Sequence, residues 1–408
     1  MTLIHRGAWL LPISHPPIAD GWVAVDDGFI VAVGGPHNPL PAAAEENHSP
    51  DARSAVGGAV AILPGLVNAH VHLELSWMRS QVPPDQSMAS WAGKLLALRR
   101  GAGGEDSLPP IVDAVRETRA SGTALVGDVT NSLASYEALA QSELSAAVFR
   151  EVIGFAIDDA GGVIREVQAQ LSQLTAIGRL RPSIVPHAPY SVSPELFVAI
   201  AAAGDRPISV HVGESAEEIE FLRTGDGPWR SLLEELGAWR ASWSPPSCGP
   251  VEYLDRFGLV NSRLLAVHGV QLTGTELARL CSARATVVTC PRSNQWTGAG
   301  APPIDRFYHS GVRVAIGTDS LASVEDLNMF NELAEVRRLA PLVSANRILA
   351  SATLSGAEAL GFANELGTIE PGKRAELIAV RVPANVPDVE EYLVGGIEPT
   401  EIRWLDRD

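Results

Sequence analysis

The sequence predicts an α/β protein: a (β/α)8 TIM-type barrel joined to a small β-sandwich domain formed by both termini. Three observations predict it. Eight short β-rich runs recur through the middle of the chain, with helical patterns between most of them. Both ends read instead as strands and turns. Polar residues suited to chemistry also gather at the C-terminal ends of the β-rich runs, which in a barrel all open on one face.

The N-terminal elements come first. Gly21 to Val25, the turn residues Asp26-Asp27-Gly28, and Phe29 to Val33 form a hairpin signal with an Asp-Gly turn. A Pro/Ala/Glu-rich loop from Pro36 to Pro50 separates it from an apolar strand around Val60–Leu63. The eight central runs are Leu66–His72, Thr123–Asp128, Ala147–Gly154, Ser183–His187, Ile208–Val212, Leu264–His268, Ala285–Thr289 and Val312–Gly317. Helical patterns lie at Ser193–Ala203, Ala216–Leu222, Trp229–Leu236 and Thr275–Cys281. From Gly367 to Val380, turn chemistry feeds a closing strand. The expected division is residues 1–62 with 363–408 as the β-sandwich, and 63–362 as the barrel.

Composition narrows the function. The chain has 408 residues, 46% of them hydrophobic and 19% charged, enough apolar material for a large core. A formal net charge of −17 repels phosphate backbones and anionic lipid, so neither nucleic acid nor a membrane surface is an expected partner. The first apolar stretch, Ala8 to Leu11, is cut by Pro12 and is too short for a secretory segment. Cys248, Cys281 and Cys290 form no CxxC pair, which suits a reducing compartment, and a cytoplasmic location is expected. Of 31 basic residues only Lys94 and Lys373 are lysines.

Five of the ten histidines lie at or near strand tips: His70 and His72 on the first, His187 on the fourth, His211 on the fifth and His268 on the sixth. Asp319 follows the eighth. Residues i and i+2 of a strand point the same way, so His70 and His72 are placed to grip one ion together. Asp319 alone is equally a helix N-cap ahead of Ser320. Imidazoles with a carboxylate form a donor set that suits Zn2+, with Fe2+ or Mn2+ as alternatives. Glu214, three residues beyond His211 and past Gly213, is placed for acid–base work on a water whose pKa such an ion lowers to about 7. Its other reading is a glutamate drawn to a helix N-terminus.

Pro64-Gly-Leu-Val-Asn-Ala-His70-Val-His72-Leu-Glu74, Pro186-His187-Ala-Pro-Tyr-Ser-Val-Ser193, His211-Val-Gly-Glu214-Ser, Val267-His268-Gly, Cys290-Pro-Arg-Ser-Asn294 and Gly317-Thr-Asp319-Ser together resemble the amidohydrolase superfamily. Within it they are most similar to the cytosine-deaminase-like branch. The closing segment from Gly367 is similar to that family's returning β segment, with Glu376 where Asp is usual. The resemblance implies one divalent metal ion held by His70, His72, His211 and Asp319. It makes Glu214 the catalytic proton shuttle and His268 a catalytic group that polarises the attacked centre. Asp319 would also accept from the nucleophilic water, and His187 would touch substrate. Binuclear relatives bridge their metals through a carbamylated lysine on the fourth strand; Lys94 and Lys373 lie elsewhere in the chain, so one metal is expected.

The implied reaction is hydrolytic deamination of a small-molecule amino-heterocycle. Gly127 to Ser132, Ser320 to Ser323 and Asp326 to Phe330 lean toward aminofutalosine-deaminase relatives, hence toward a 5′-modified adenosine. Base deamination of guanine or cytosine, triazine hydrolysis and a non-catalytic metal scaffold are the alternatives. Trp77 and Trp91, with Trp296, are expected to sandwich the ring. Arg150, or Arg292, is expected to bind a carboxylate or ribose, unless it pairs with an acidic neighbour. The branch commonly forms homodimers.

Overall fold

The computed structural model describes residues 2–41, 44–46, 59–101, 108–405 and 407, and it is an α/β fold. The strands, in chain order, are β1 (Thr2–Arg6), β2 (Trp9–Leu10), β3 (Ile18–Ala19), β4 (Trp22–Asp26), β5 (Phe29–Gly34), β6 (Ala44–Glu46) and β7 (Ala59–Pro64). Then come β8 (Leu66–Val71), β9 (Thr123–Thr130), β10 (Ser145–Val152), β11 (Leu180–Pro186), β12 (Ile208–Val212), β13 (Leu264–His268), β14 (Thr286–Thr289) and β15 (Arg313–Ile316). β16 (Leu377–Val382) and β17 (Ile402–Trp404) close the chain.

β8 to β15 are the eight strands expected from sequence. They run parallel, and β8, β9, β12, β13 and β14 are buried along their whole length, as strands covered on both faces must be. Their ladders do not form one closed ring. They make two four-stranded sheets, in the orders β11-β10-β9-β8 and β12-β13-β14-β15.

The two seams have a chemical cause. Between β8 and β15, side chains stand in for the ladder: Thr318 N donates to Asn68 Oδ1 at 3.1 Å, and Asn68 Nδ2 donates to Thr318 Oγ1 at 2.7 Å. One backbone bond, Asp319 N to His70 O at 3.0 Å, crosses there. At the other seam Pro182 and Pro186 in β11, and Pro207 ahead of β12, have no N–H to give. His211 N donates across this seam to His187 O at 2.9 Å, and Ser183 Oγ to Pro207 O at 3.0 Å. At each seam a backbone bond falls on site residues.

The ends of the chain form two further sheets, β5-β4-β1-β6 and β17-β16-β7-β2-β3. The expected hairpin is β4–β5, and Asp27 and Gly28 take left-handed φ values of 48° and 75°, which a two-residue hairpin turn requires. β7 pairs antiparallel with β16 from Leu377↔Pro64 to Val382↔Ala59, tying the two halves of the sequence together. Val23, Val25 and Ile30 of the first sheet share one apolar cluster with Val60, Ile62, Leu377 and Ala379 of the second. The expected loop from Pro36 to Pro50 lies partly outside the described residues; within it, Ala44–Glu46 pairs with β1. Among the described residues no helix is long and apolar enough to cross a membrane.

A buried carboxylate joins these sheets to the Leu108–Ala120 helix that precedes β9. Glu376, 3% exposed, meets Arg119 at 2.9 Å, Arg407 at 2.6 Å and Arg374 at 3.2 Å, and Arg119 stacks over Trp404. Removing it takes the carboxylate from Arg374 and leaves Arg407 and the largely buried Arg119 to share Glu143 among the described residues. Glu376→Ala is therefore expected to lower stability by about 3 kcal/mol, read as a fall in the urea midpoint with little change in slope.

Candidate active site

The strand ends converge on a buried polar cluster. His70 lies within β8, and His72 follows two residues on, which turns both rings the same way. β12 carries His211, and β13 ends on His268. Asp319 lies three residues beyond β15. Gly317 lets the last of these come close: a Cβ there would lie 2.7 Å from His70 O. His268 and Asp319 both hold left-handed backbone, with φ of 75° and 65°, a cost usually met at functional positions.

His72 Nε2 lies 3.3 Å from His211 Nε2 and 3.6 Å from Asp319 Oδ1, and His70 Nε2 lies 4.0 Å from the same oxygen. A tetrahedral shell with bonds of about 2.0–2.1 Å has edges near 3.4 Å, so these donors are spaced to hold one divalent ion. Both ring nitrogens of His70 are buried without a hydrogen-bond partner among the described residues, a cost that such an ion would relieve. Outer partners orient the donors. His211 Nδ1 donates to His187 O at 3.0 Å, leaving Nε2 its lone pair, and Asp319 Oδ2 accepts from Ser293 Oγ at 2.6 Å.

Burial favours the neutral form of four of the imidazoles. Desolvation, reinforced by neighbouring histidines, lowers the pKa of His70 and His268, and brings His211 and His187 down to about 3. Burial also pushes Asp319 up, and pushes Glu214 well above the usual carboxyl range, with Asp319 and Glu218 adding to the effect. Glu214 is 2% exposed, and its Oε2 lies 3.5 Å from His268 Nε2. Asn294 Nδ2 lies 3.0 Å from His268 Nδ1; the amide donates, which leaves the ring proton on Nε2, facing Glu214. Glu218 shapes the turn that delivers Glu214, accepting from Gly213 N and Glu214 N at 2.9 Å each.

The cluster floors a cavity of about 420 Å3. Of the residues expected to touch substrate, His187 and Trp91 line it. Trp77 does not: it packs with Met78, Val82 and Trp91 in a side cluster behind the wall. Trp296, in the same cluster, spends its indole N–H on Val82 O. Arg150 is also absent from the lining. Successive strand residues face opposite ways, and Arg150 turns outward to Gln170 Oε1 and Glu151 O, while Glu151 faces the cavity. Arg292 is held by Glu332 at 2.6 Å and Asp326 at 3.1 Å, the acidic pairing that sequence left open.

Residues not singled out from sequence complete the wall. Glu151 accepts from Asn131 Nδ2 at 2.8 Å and lies 3.5 Å from His211 Nδ1. Tyr190 and Trp229 stack with ring centroids 3.8 Å apart. Tyr190 and Asn294 both fall inside motifs already noted, so their positions, though not their roles, were in view. Arg99 and Trp229 carried no such signal.

Parallel strands ending in a buried imidazole–carboxylate cluster define a hydrolase-type metal site. The sequence matches the amidohydrolase family over residues 61–397, and the chain belongs to that family, whose solved relatives imply the TIM-barrel fold. It is 32% identical to a 5-methylthioadenosine/S-adenosylhomocysteine deaminase of Moorella thermoacetica, over 96% of this chain and 89% of the relative. It is 32% identical to an aminodeoxyfutalosine deaminase of Deinococcus radiodurans, over 84% of this chain and 81% of the relative. Among solved structures it is similar to a zinc-bound adenosine deaminase of Xanthomonas campestris, with TM-score 0.78, 29% identity, and 98% and 90% of the two chains covered. It is also similar to Helicobacter pylori aminofutalosine deaminase in complex with methylthio-coformycin, with TM-score 0.80, 25% identity, and 96% and 94% covered.

Metal analysis of the purified chain is expected to return one tightly held divalent ion; two would contradict the donor geometry. Ser293→Ala removes the hydroxyl bonded to Asp319 and is expected to weaken metal affinity about 10- to 100-fold, measured by competition with a chelator. His72→Ala should weaken it further.

Proposed function

We propose that the chain is a metal-dependent hydrolytic deaminase of 5′-modified adenosines, with aminofutalosine-type nucleosides favoured. The observation that carries this reading is the Glu214–His268 pair, buried and 3.5 Å apart, beside a donor cluster in a cavity with aromatic walls. The names of the relatives support the nucleoside class: the similar proteins include deaminases of methylthioadenosine, S-adenosylhomocysteine and aminodeoxyfutalosine. Triazine hydrolases at 20–22% identity share the fold alone.

In this proposal His70, His72, His211 and Asp319 hold one divalent ion, Zn2+ first and Fe2+ or Mn2+ as alternatives. When bound, the ion supplies Lewis acidity that ionises water near neutral pH. Glu214 takes the proton released by that water and delivers it to the ring nitrogen beside the amino-bearing carbon. Burial raises its pKa, which makes it a stronger proton acceptor than an exposed carboxylate. His268, with its proton on Nε2, donates to the oxygen being added and stabilises the charge that develops there. Asp319 accepts from the water on its other side. His187 and Trp91 contact the base. A second proton, from the added hydroxyl, would pass through Glu214 to the amino nitrogen, and the C–N bond then breaks with ammonia as the leaving group.

The accompanying architecture is a (β/α)8 TIM-type barrel over residues 63–362 and a β-sandwich from 1–62 with 363–408. The β7–β16 pairing and the apolar cluster shared by the two terminal sheets support it. Three free cysteines support a reducing, cytoplasmic setting, and a homodimer is the expected assembly.

Glu214→Gln separates catalysis from metal holding. It is expected to lower kcat by about 10²- to 10⁴-fold, with the metal content of the wild type. A panel of 5′-substituted adenosines, guanine, cytosine and triazines, assayed for ammonia release, tests the substrate class. Turnover of non-purines alone would end the adenosine reading.

A further inference from the structure

We infer that Arg292 is a positioning residue: it clamps the short helix that carries Ser293 and Asn294, and so sets how firmly Asp319 and His268 are held. The inference rests on the metal-holding part of the reading above and is independent of the substrate. The Pro291–Thr297 helix has seven residues, and a helix this short does not hold itself together in water. What fastens it therefore decides where its side chains point. Two of them reach into the site. Ser293 Oγ donates to Asp319 Oδ2 at 2.6 Å, and Asn294 Nδ2 donates to His268 Nδ1 at 3.0 Å. Ser293 and Asn294 are both fully buried. The residues they serve, Asp319 and His268, both hold left-handed backbone. One short helix thus braces two strained positions of the site.

Arg292 ties that helix to the Met329–Leu339 helix. Its Nε donates to Glu332 Oε1 at 2.6 Å, its Nη1 to both carboxylate oxygens of Asp326 at 3.1 Å, and its Nη2 to the Asp326 carbonyl at 2.9 Å. All three guanidinium nitrogens are engaged, a planar fit that an ammonium does not reproduce. The acceptors are prepared for it. Glu332 is fully buried, and Asp326 accepts from Asn328 N at 2.9 Å and Asn331 Nδ2 at 3.0 Å, which fixes its carboxylate ahead of the longer helix. The other side-chain ties lie further along the short helix. Gln295 Nε2 donates to Glu335 Oε1 at 2.6 Å in an exposed pair, and Trp296 Nε1 donates to Val82 O at 3.0 Å. Burying an ion pair adds little net stability, whereas its fixed geometry specifies position. Arg292 is the tie next to the two residues that reach the site.

Zn2+ affinity, measured by competition with a chelator, reads the clamp without any substrate. Arg292→Met is expected to weaken it about tenfold, and to lower kcat with KM near the wild-type value. In a Ser293→Ala background the same substitution should have no further effect on affinity, because its route to Asp319 is already cut. Arg292→Met leaves Glu332 buried without its cation, so the Arg292→Met/Glu332→Met pair is measured beside it. Replacing a buried ion pair by apolar side chains is often neutral for stability, and the loss of affinity is expected to persist in that folded variant. Wild-type affinity in the Met pair, or full additivity with Ser293→Ala, overturns the assignment. A chain that binds no Zn2+ overturns the metal reading and the assignment together. One that binds Zn2+ as expected but releases no ammonia from nucleosides overturns the deaminase reading alone.

Discussion

Five imidazoles and two carboxyl groups crowded together at one end of the central strands are the constraint around which this molecule is arranged. Each is costly to bury alone, and each is met by something specific. Parallel strands deliver the side chains to one end, both seams between the sheets cross at site residues, Asn294 and the His187 carbonyl fix which nitrogen of His268 and His211 carries its proton, and Ser293 holds Asp319. Desolvation then does two jobs. It favours the neutral form of His70, His187, His211 and His268, and it raises Glu214 well above the usual carboxyl range.

The cavity divides its labour along its depth. Its floor is polar and buried. Its outer half is lined by two apolar helix faces. Polar groups beside them include Asn131 and Glu151, from the β9 and β10 ends, and Arg99 on the Met88–Gly101 helix.

Much of this was legible in the sequence, and the rest was hidden for definable reasons. β12 and β13 run over the expected residues, and β8 ends one residue early, because unbroken apolar runs bounded by turns leave little freedom. The donor cluster was legible because strand tips of a parallel fold share one end. The seams were not: the Asn68–Thr318 exchange links residues 250 apart, and no local pattern announces it. Arg150 and Glu151 show how narrow the margin is. Both sit in β10, the alternation was plain, and only the phase, which tertiary packing sets, decides which of them faces inward. Trp77 failed as a ligand contact for a related reason: the turn after β8 carries it sideways into its own apolar nest.

The left-handed backbone at His268 and Asp319 has a consequence for engineering. Glycine would relax both positions, and asparagine is better tolerated than most residues there. A laboratory selection for heat tolerance alone would be drawn to these two sites early, and each gain in ruggedness would be taken from the reacting end of the cavity. Selections that leave turnover unmonitored should therefore yield sturdy, silent proteins.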